Sequence, residues 1–201
     1  MNTRYFIGIM FSVFCAIGLI GCSKDEEGFS KEEIQQAIYE MKGTYYGTVH
    51  VSSSQGLDLT LQNATAVSRD SLKFKMSLQP LAEVVSDKAL SDRLYEIGEV
   101  EVSAGYQFYQ RNESVLLFSL CPTEIIVWGG FGAPPTVRIV FSQNYGGNAE
   151  VDKNKNFMTF NISPTELWIN GEKYEEFPKI TYHFEGVYEC FTTGGFVHPH
   201  I

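Results

Sequence analysis

From Gly43 onward the chain keeps a two-residue rhythm, and that rhythm constrains its fold more than any other feature. Leu57, Leu59 and Leu61 alternate with polar residues, and Leu72, Phe74, Met76 and Leu78 do the same. Successive side chains of a strand point to opposite faces, so each such run buries one face and wets the other. Ahead of them, Thr44 to Val51 is rich in β-branched and aromatic residues, which suit a pleated, half-buried surface. Further strands are expected over 100–110, 114–120, 124–128, 136–142, 157–162, 166–169 and 180–188. Arg111-Asn112-Glu113, Asn144 to Asn148 and Asp152 to Asn156 read as turns, Gly129 to Pro135 as a loop, and Asn170-Gly171 as a hairpin turn.

Helical spacing is confined to short stretches. Ser30-Lys31-Glu32-Glu33 forms a capping box, followed by Ile34, Ala37, Ile38 and Met41 on one face, with Gly43 as the stop. After Pro80, the residues Leu81, Val84 and Val85 predict a single helical turn. Ser86 or Asp87 can then cap a second helix carrying Ala89, Leu90, Leu94 and Ile97, which Gly98 ends. Long helices do not alternate with single strands, which excludes a doubly wound parallel fold. The expectation is a mainly β (α+β) body over residues 30–201, an antiparallel barrel or sandwich of about ten strands with two short helices.

The N-terminus carries a different pattern. Arg4 precedes an apolar run from Phe6 to Ile20 that ends at Leu19-Ile20-Gly21-Cys22. That run is short for a membrane span and closes on small residues and a cysteine, as a cleavable signal does. The tetrad resembles a bacterial lipobox. The resemblance implies that residues 1–21 are removed and that Cys22 receives a diacylglycerol and a further acyl chain such as palmitate. Residues 22–29 then form an acylated, acidic tether. Each buried methylene contributes roughly 0.8 kcal/mol, so several chains together anchor firmly.

Ser23-Lys24-Asp25-Glu26-Glu27 resembles the surface-export signal of Bacteroidetes lipoproteins; a plain solvated tether is the other reading. Lipobox, tether, short helix and the opening Gly43-Thr44-Tyr45-Tyr46-Gly47-Thr48 together resemble a group of small Bacteroidetes lipoproteins of unknown function. The opening is also similar to the first strand of lipocalin-like barrels. What this implies is a lipid-anchored protein of the outer membrane, exposed at the cell surface, with no activity to carry over.

Charge and motifs exclude several functions. Asp and Glu number 24 against 15 Lys and Arg, a net charge of −9, so the basic footprint of a nucleic-acid binder is missing. Cys15 leaves with the signal and Cys22 takes the lipid. Cys121 and Cys190 remain, either as a disulfide, worth roughly 4 kcal/mol for so long a loop, or as two buried thiols. No cysteine or histidine cluster has zinc spacing, and His198-Pro199-His200 is a weak pair at the tail. His50 and His183 fall inside strand patterns and read as structural. Nucleophile-elbow, zinc-protease and phosphate-loop motifs do not occur. The acid pairs Asp70 with Glu83, Glu99 with Glu101, and Glu175 with Glu176 read as surface. Neither a cofactor nor an enzymatic activity is expected. Asp70-Ser71-Leu72 resembles a short O-glycosylation acceptor motif.

Trp128 and Phe131, in and beside the glycine- and proline-rich loop, form the best candidate for a ligand-binding surface. Flat rings of this kind stack on sugars or partner proteins. A hairpin tip with Trp128 folded into the core is the competing reading, and Trp168, Tyr106 and Tyr109 could extend the platform. The functional expectation is an anchored, non-enzymatic binding or accessory protein whose partner is a glycan or another envelope protein. Two alternatives are a small apolar-ligand carrier of lipocalin-like type and a surface glycan hydrolase. The latter needs paired carboxylates roughly 5–9.5 Å apart.

Overall fold

Eight strands close into an antiparallel barrel in the order β1-β12-β9-β8-β5-β4-β3-β2. The computed structural model describes residues 29–129, 135–143, 145–152 and 155–189. The wall comprises β1 (Gly43–Ser53), β2 (Asp58–Val67), β3 (Ser71–Ser77), β4 (Glu99–Asn112), β5 (Val115–Pro122), β8 (Tyr145–Glu150), β9 (Lys155–Ile162) and β12 (Ile180–Glu189). Between them lie α1 (Lys31–Met41), ahead of β1, and α2 (Gln79–Val84) with α3 (Lys88–Ile97), between β3 and β4. Two excursions complete the chain: β6 (Ile125–Val127) with β7 (Val137–Phe141), and β10 (Pro164–Ile169) with β11 (Glu172–Lys173).

The direction of the strands sorts these parts. Neighbours around the wall run antiparallel, so the connections β1–β2, β3–β4, β5–β8 and β9–β12 share one end of the barrel. The helix pair and both excursions are inserted there. The excursions then pair with each other as a second sheet, in the order β11-β10-β7-β6. α1 packs at the opposite end, where Ala37 and Met41 are buried. Tyr45 Oη donates to the Met41 carbonyl at 2.8 Å, Asn156 Nδ2 donates to the Glu40 carbonyl at 2.8 Å, and Arg111 pairs with Glu40 at 3.1 Å.

An eight-stranded barrel is just wide enough for side chains to fill its interior. Here rings do so: Phe160 and Phe184 stack with centroids 4.7 Å apart, and Phe74 meets them at 5.2 and 4.7 Å. Phe118, Met76, Met158 and Tyr182 are buried around them. Tyr182 donates its hydroxyl to the Ser77 carbonyl at 3.1 Å, and burial pushes its pKa up.

Of the expected mainly β barrel or sandwich with short helices, the barrel is what forms, with two differences of detail. Asn144 to Asn148, read as a turn, lies largely within β8. Gly147 is there for closeness rather than for turning, because a Cβ on it would collide with the Phe118 ring. With the two-residue β11, this gives twelve strands among the described residues instead of about ten. The single turn after Pro80 is a six-residue helix, making three helices instead of two. Pro80 sits in its first turn, where its fixed φ favours the helix, and Pro80, Leu81, Ala82 and Val84 are buried. Asp87, not Ser86, caps α3, accepting from the Leu90 amide at 2.8 Å. Ser86 instead meets the Tyr174 hydroxyl at 2.7 Å, tying the helix pair to the chain just after β11.

Candidate functional site

The second sheet has one apolar face and one decorated face. Ile139 opposes Ile125 and Leu167, and all three are buried. One residue along each strand, the same pairing aligns Ile126, Arg138, Trp168 and Lys173 in a row across all four strands. Alternation puts this row on the opposite, outward side.

The row is fixed by charge-assisted bonds. Arg138 donates from Nε and Nη2 to Glu124 Oε2 at 2.9 and 2.7 Å, and its Cζ lies 5.5 Å from the Trp168 ring centroid. Trp168 donates its indole N–H to Glu166 Oε2 at 2.8 Å, and Lys173 donates to Glu166 Oε1 at 2.7 Å. The Lys173 bond, followed by that of Trp168, holds the Glu166 carboxyl below its usual range. In return, Glu166 raises the Lys173 pKa.

Trp128 completes the site. It follows β6 and is 75% exposed. The backbone beyond it is pinned: Gly129 N–H donates to Thr136 Oγ1, and the Thr136 N–H donates to Asn170 Oδ1, each at 3.0 Å. Asn170 and Gly171 both take positive φ, as the Asn-Gly hairpin signal predicted, and this turn forms the rim. Ile126, Trp128, Arg138 and Trp168, with Thr136, Asn170 and Gly171 at the rim, line an open cleft of about 480 Å³.

Trp128 is therefore not folded into the core, and Trp168 joins it in one cleft. Phe131 lies outside the described residues, as do Cys22, Cys190, His198 and His200. Tyr106 does not join the platform. It is half-buried at the opposite end, donates its hydroxyl to the Ser68 carbonyl at 2.8 Å, and has a pKa pushed up to about 12 by burial. Tyr109 is exposed on β4, at a register shift against β5. Cys121 is exposed on β5.

The remaining candidates disperse. His50 binds Asp58 at 2.6 Å, and His183 binds Asn161 at 2.7 Å and Glu185 at 3.1 Å, on paired strands of the barrel wall. Among the described residues no group of three or more His, Cys, Asp or Glu could hold a metal ion. Glu99 pairs with Lys75 at 3.0 Å and Glu101 approaches Lys73 at 4.0 Å, both on an exposed stripe. Asp70 lies in the β2–β3 turn beside Ser68, whereas Glu83 lies on α2 at the other end. Glu176 accepts from Ser86 at 3.0 Å.

Sequence reasoning missed Glu124, Arg138, Glu166 and Lys173. A signal for two of them was present: Arg138 breaks the apolar run Val137 to Phe141, and Glu166 precedes Trp168 by the two-residue strand period. No helix among the described residues is long and apolar enough to cross a membrane. Comparison with known proteins finds no matching family model, no matching curated protein and no matching solved structure.

Proposed function

We propose that this protein is an envelope lipoprotein, held by acyl chains on Cys22, that binds a glycan without chemically altering it. The observation that carries the reading is the cleft, where an exposed Trp128 faces a row of fixed polar groups around Trp168. Sugars bind to such surfaces through a flat ring for their C–H face and paired donors and acceptors for their hydroxyls. The position of the cleft agrees with an anchored role. It lies at the end of the barrel opposite α1, the element that follows the tether, so an anchored chain presents it away from its attachment.

Two observations weigh against the other readings. The Phe74, Phe160 and Phe184 rings occupy the interior where a lipocalin-like carrier would hold its ligand. A glycosidase acid needs a raised pKa, whereas Lys173 and Trp168 lower that of Glu166. Screening the detergent-solubilised full-length protein against a glycan array tests the proposal. Retention of a glycan that is lost in Trp128→Ala supports it. Binding only to an envelope protein, or turnover of a polysaccharide, overturns it.

A further inference from the structure

The charges around the cleft narrow its ligand. We infer that the cleft takes an uncharged sugar, a neutral pyranose chain, rather than an acidic or sulfated one; this rests on the glycan-binding reading and sharpens it. Arg138 lines the cleft and Lys173 lies in the same row beside it; each is already matched. Arg138 is bound to Glu124 through two bonds at 2.9 and 2.7 Å, and Lys173 to Glu166 at 2.7 Å. These four groups sum to zero charge. An anionic ligand would have to compete with Glu124 for Arg138, whose charge that carboxylate already matches, while approaching a chain of net charge −9.

A neutral sugar meets neither obstacle. Both Arg138 bonds fall on Glu124 Oε2, so Glu124 Oε1 and Arg138 Nη1, an acceptor beside a donor, stay outside that pairing, and Arg138 lines the cleft. Each sugar hydroxyl both gives and accepts a hydrogen bond, so neighbouring hydroxyls match that pair in either order. Trp128, mostly exposed, offers its ring for the C–H face. Trp168 contributes less by stacking than by rigidity, because its N–H is committed to Glu166 and Arg138 covers one of its faces.

The test is calorimetric titration of the full-length protein, in detergent, with neutral glucan, mannan and galactan oligosaccharides, and separately with oligogalacturonate and a sulfated oligosaccharide. The expected result is a neutral binder at least about tenfold tighter than either anion, nearly insensitive to salt. In Trp128→Ala that affinity falls about tenfold while the far-ultraviolet circular dichroism is unchanged. Glu124→Gln, which leaves Arg138 unmatched, gains affinity for the anionic oligosaccharides. Salt-sensitive preference for an anionic glycan in the parent protein overturns the neutral assignment and leaves the glycan reading standing. Absence of binding to every oligosaccharide overturns the glycan reading itself. Neutral binding that Trp128→Ala leaves intact places the sugar elsewhere and overturns this inference.

Discussion

Arg138 lies over the Trp168 ring, with Cζ 5.5 Å from its centroid, while two of its nitrogens grip Glu124. The two residues are cross-strand partners on β7 and β10, strands that belong to separate excursions from the barrel. Their contact therefore joins the two halves of the second sheet and fixes the floor of the cleft. Arg138→Lys keeps the charge but loses the planar fork and the stacked guanidinium. Because Arg138 and Glu124 are partly exposed, the loss of stability is expected to stay under about 1 kcal/mol by chemical denaturation. Glycan affinity falls by a larger factor, read by titration.

Gly147 tests the packing of the barrel. Gly147→Ala drives a methyl group into the Phe118 ring, and overpacking of this kind costs about 1–3 kcal/mol. Phe118→Leu in the same background makes room, so a double-mutant cycle is expected to show favourable coupling. Additive losses would mean that the two residues do not press on one another.

The pH dependence near the cleft has a definite sign. Bonding lowers the Glu166 pKa from the ordinary value of 4.5, so its contribution is complete above that value and fades as the pH falls through the lowered one. Lys173, raised from 10.5, contributes fully below that value and fades as the pH climbs past it. Trp168 shares the Glu166 carboxylate, so the acid transition is visible in tryptophan emission below pH 4.5. Glu166→Gln is expected to abolish that transition.

The helix caps are separable from the site. Asp87→Ala removes the acceptor of the Leu90 amide and costs about 1 kcal/mol, with glycan binding unchanged. Denaturation and titration of the one variant read both outcomes.

The proposed anchor rests on Cys22. If Cys22 carries several acyl chains, the native protein is expected to partition with membranes, and Cys22→Ser is expected to release it into the soluble fraction or leave the leader attached. Mass spectrometry of the native N-terminus distinguishes these cases; an unmodified thiol would contradict the proposed anchor.

Local signals in the sequence translated directly into local structure. The Leu72-Phe74-Met76 alternation is β3, the Ser30–Glu33 capping box closes with both bonds present, and Asn170-Gly171 turns as its composition demands. Gly146-Gly147 misled because a glycine inside a strand and a glycine in a turn look alike until the opposing ring is known. The cleft was half legible. Trp128 stood out by its loop, but its neighbours arrive from an excursion later in the chain, and pairing between excursions leaves no mark in either segment alone.

The protein has two tryptophans, and both line the cleft, so their indole N–H resonances report on this site and no other. Adding the tightest-binding neutral oligosaccharide to the 15N-labelled protein is expected to shift both signals, that of Trp128 most. Saturable binding by calorimetry with both indole signals unmoved would contradict the assignment of the cleft as the ligand site.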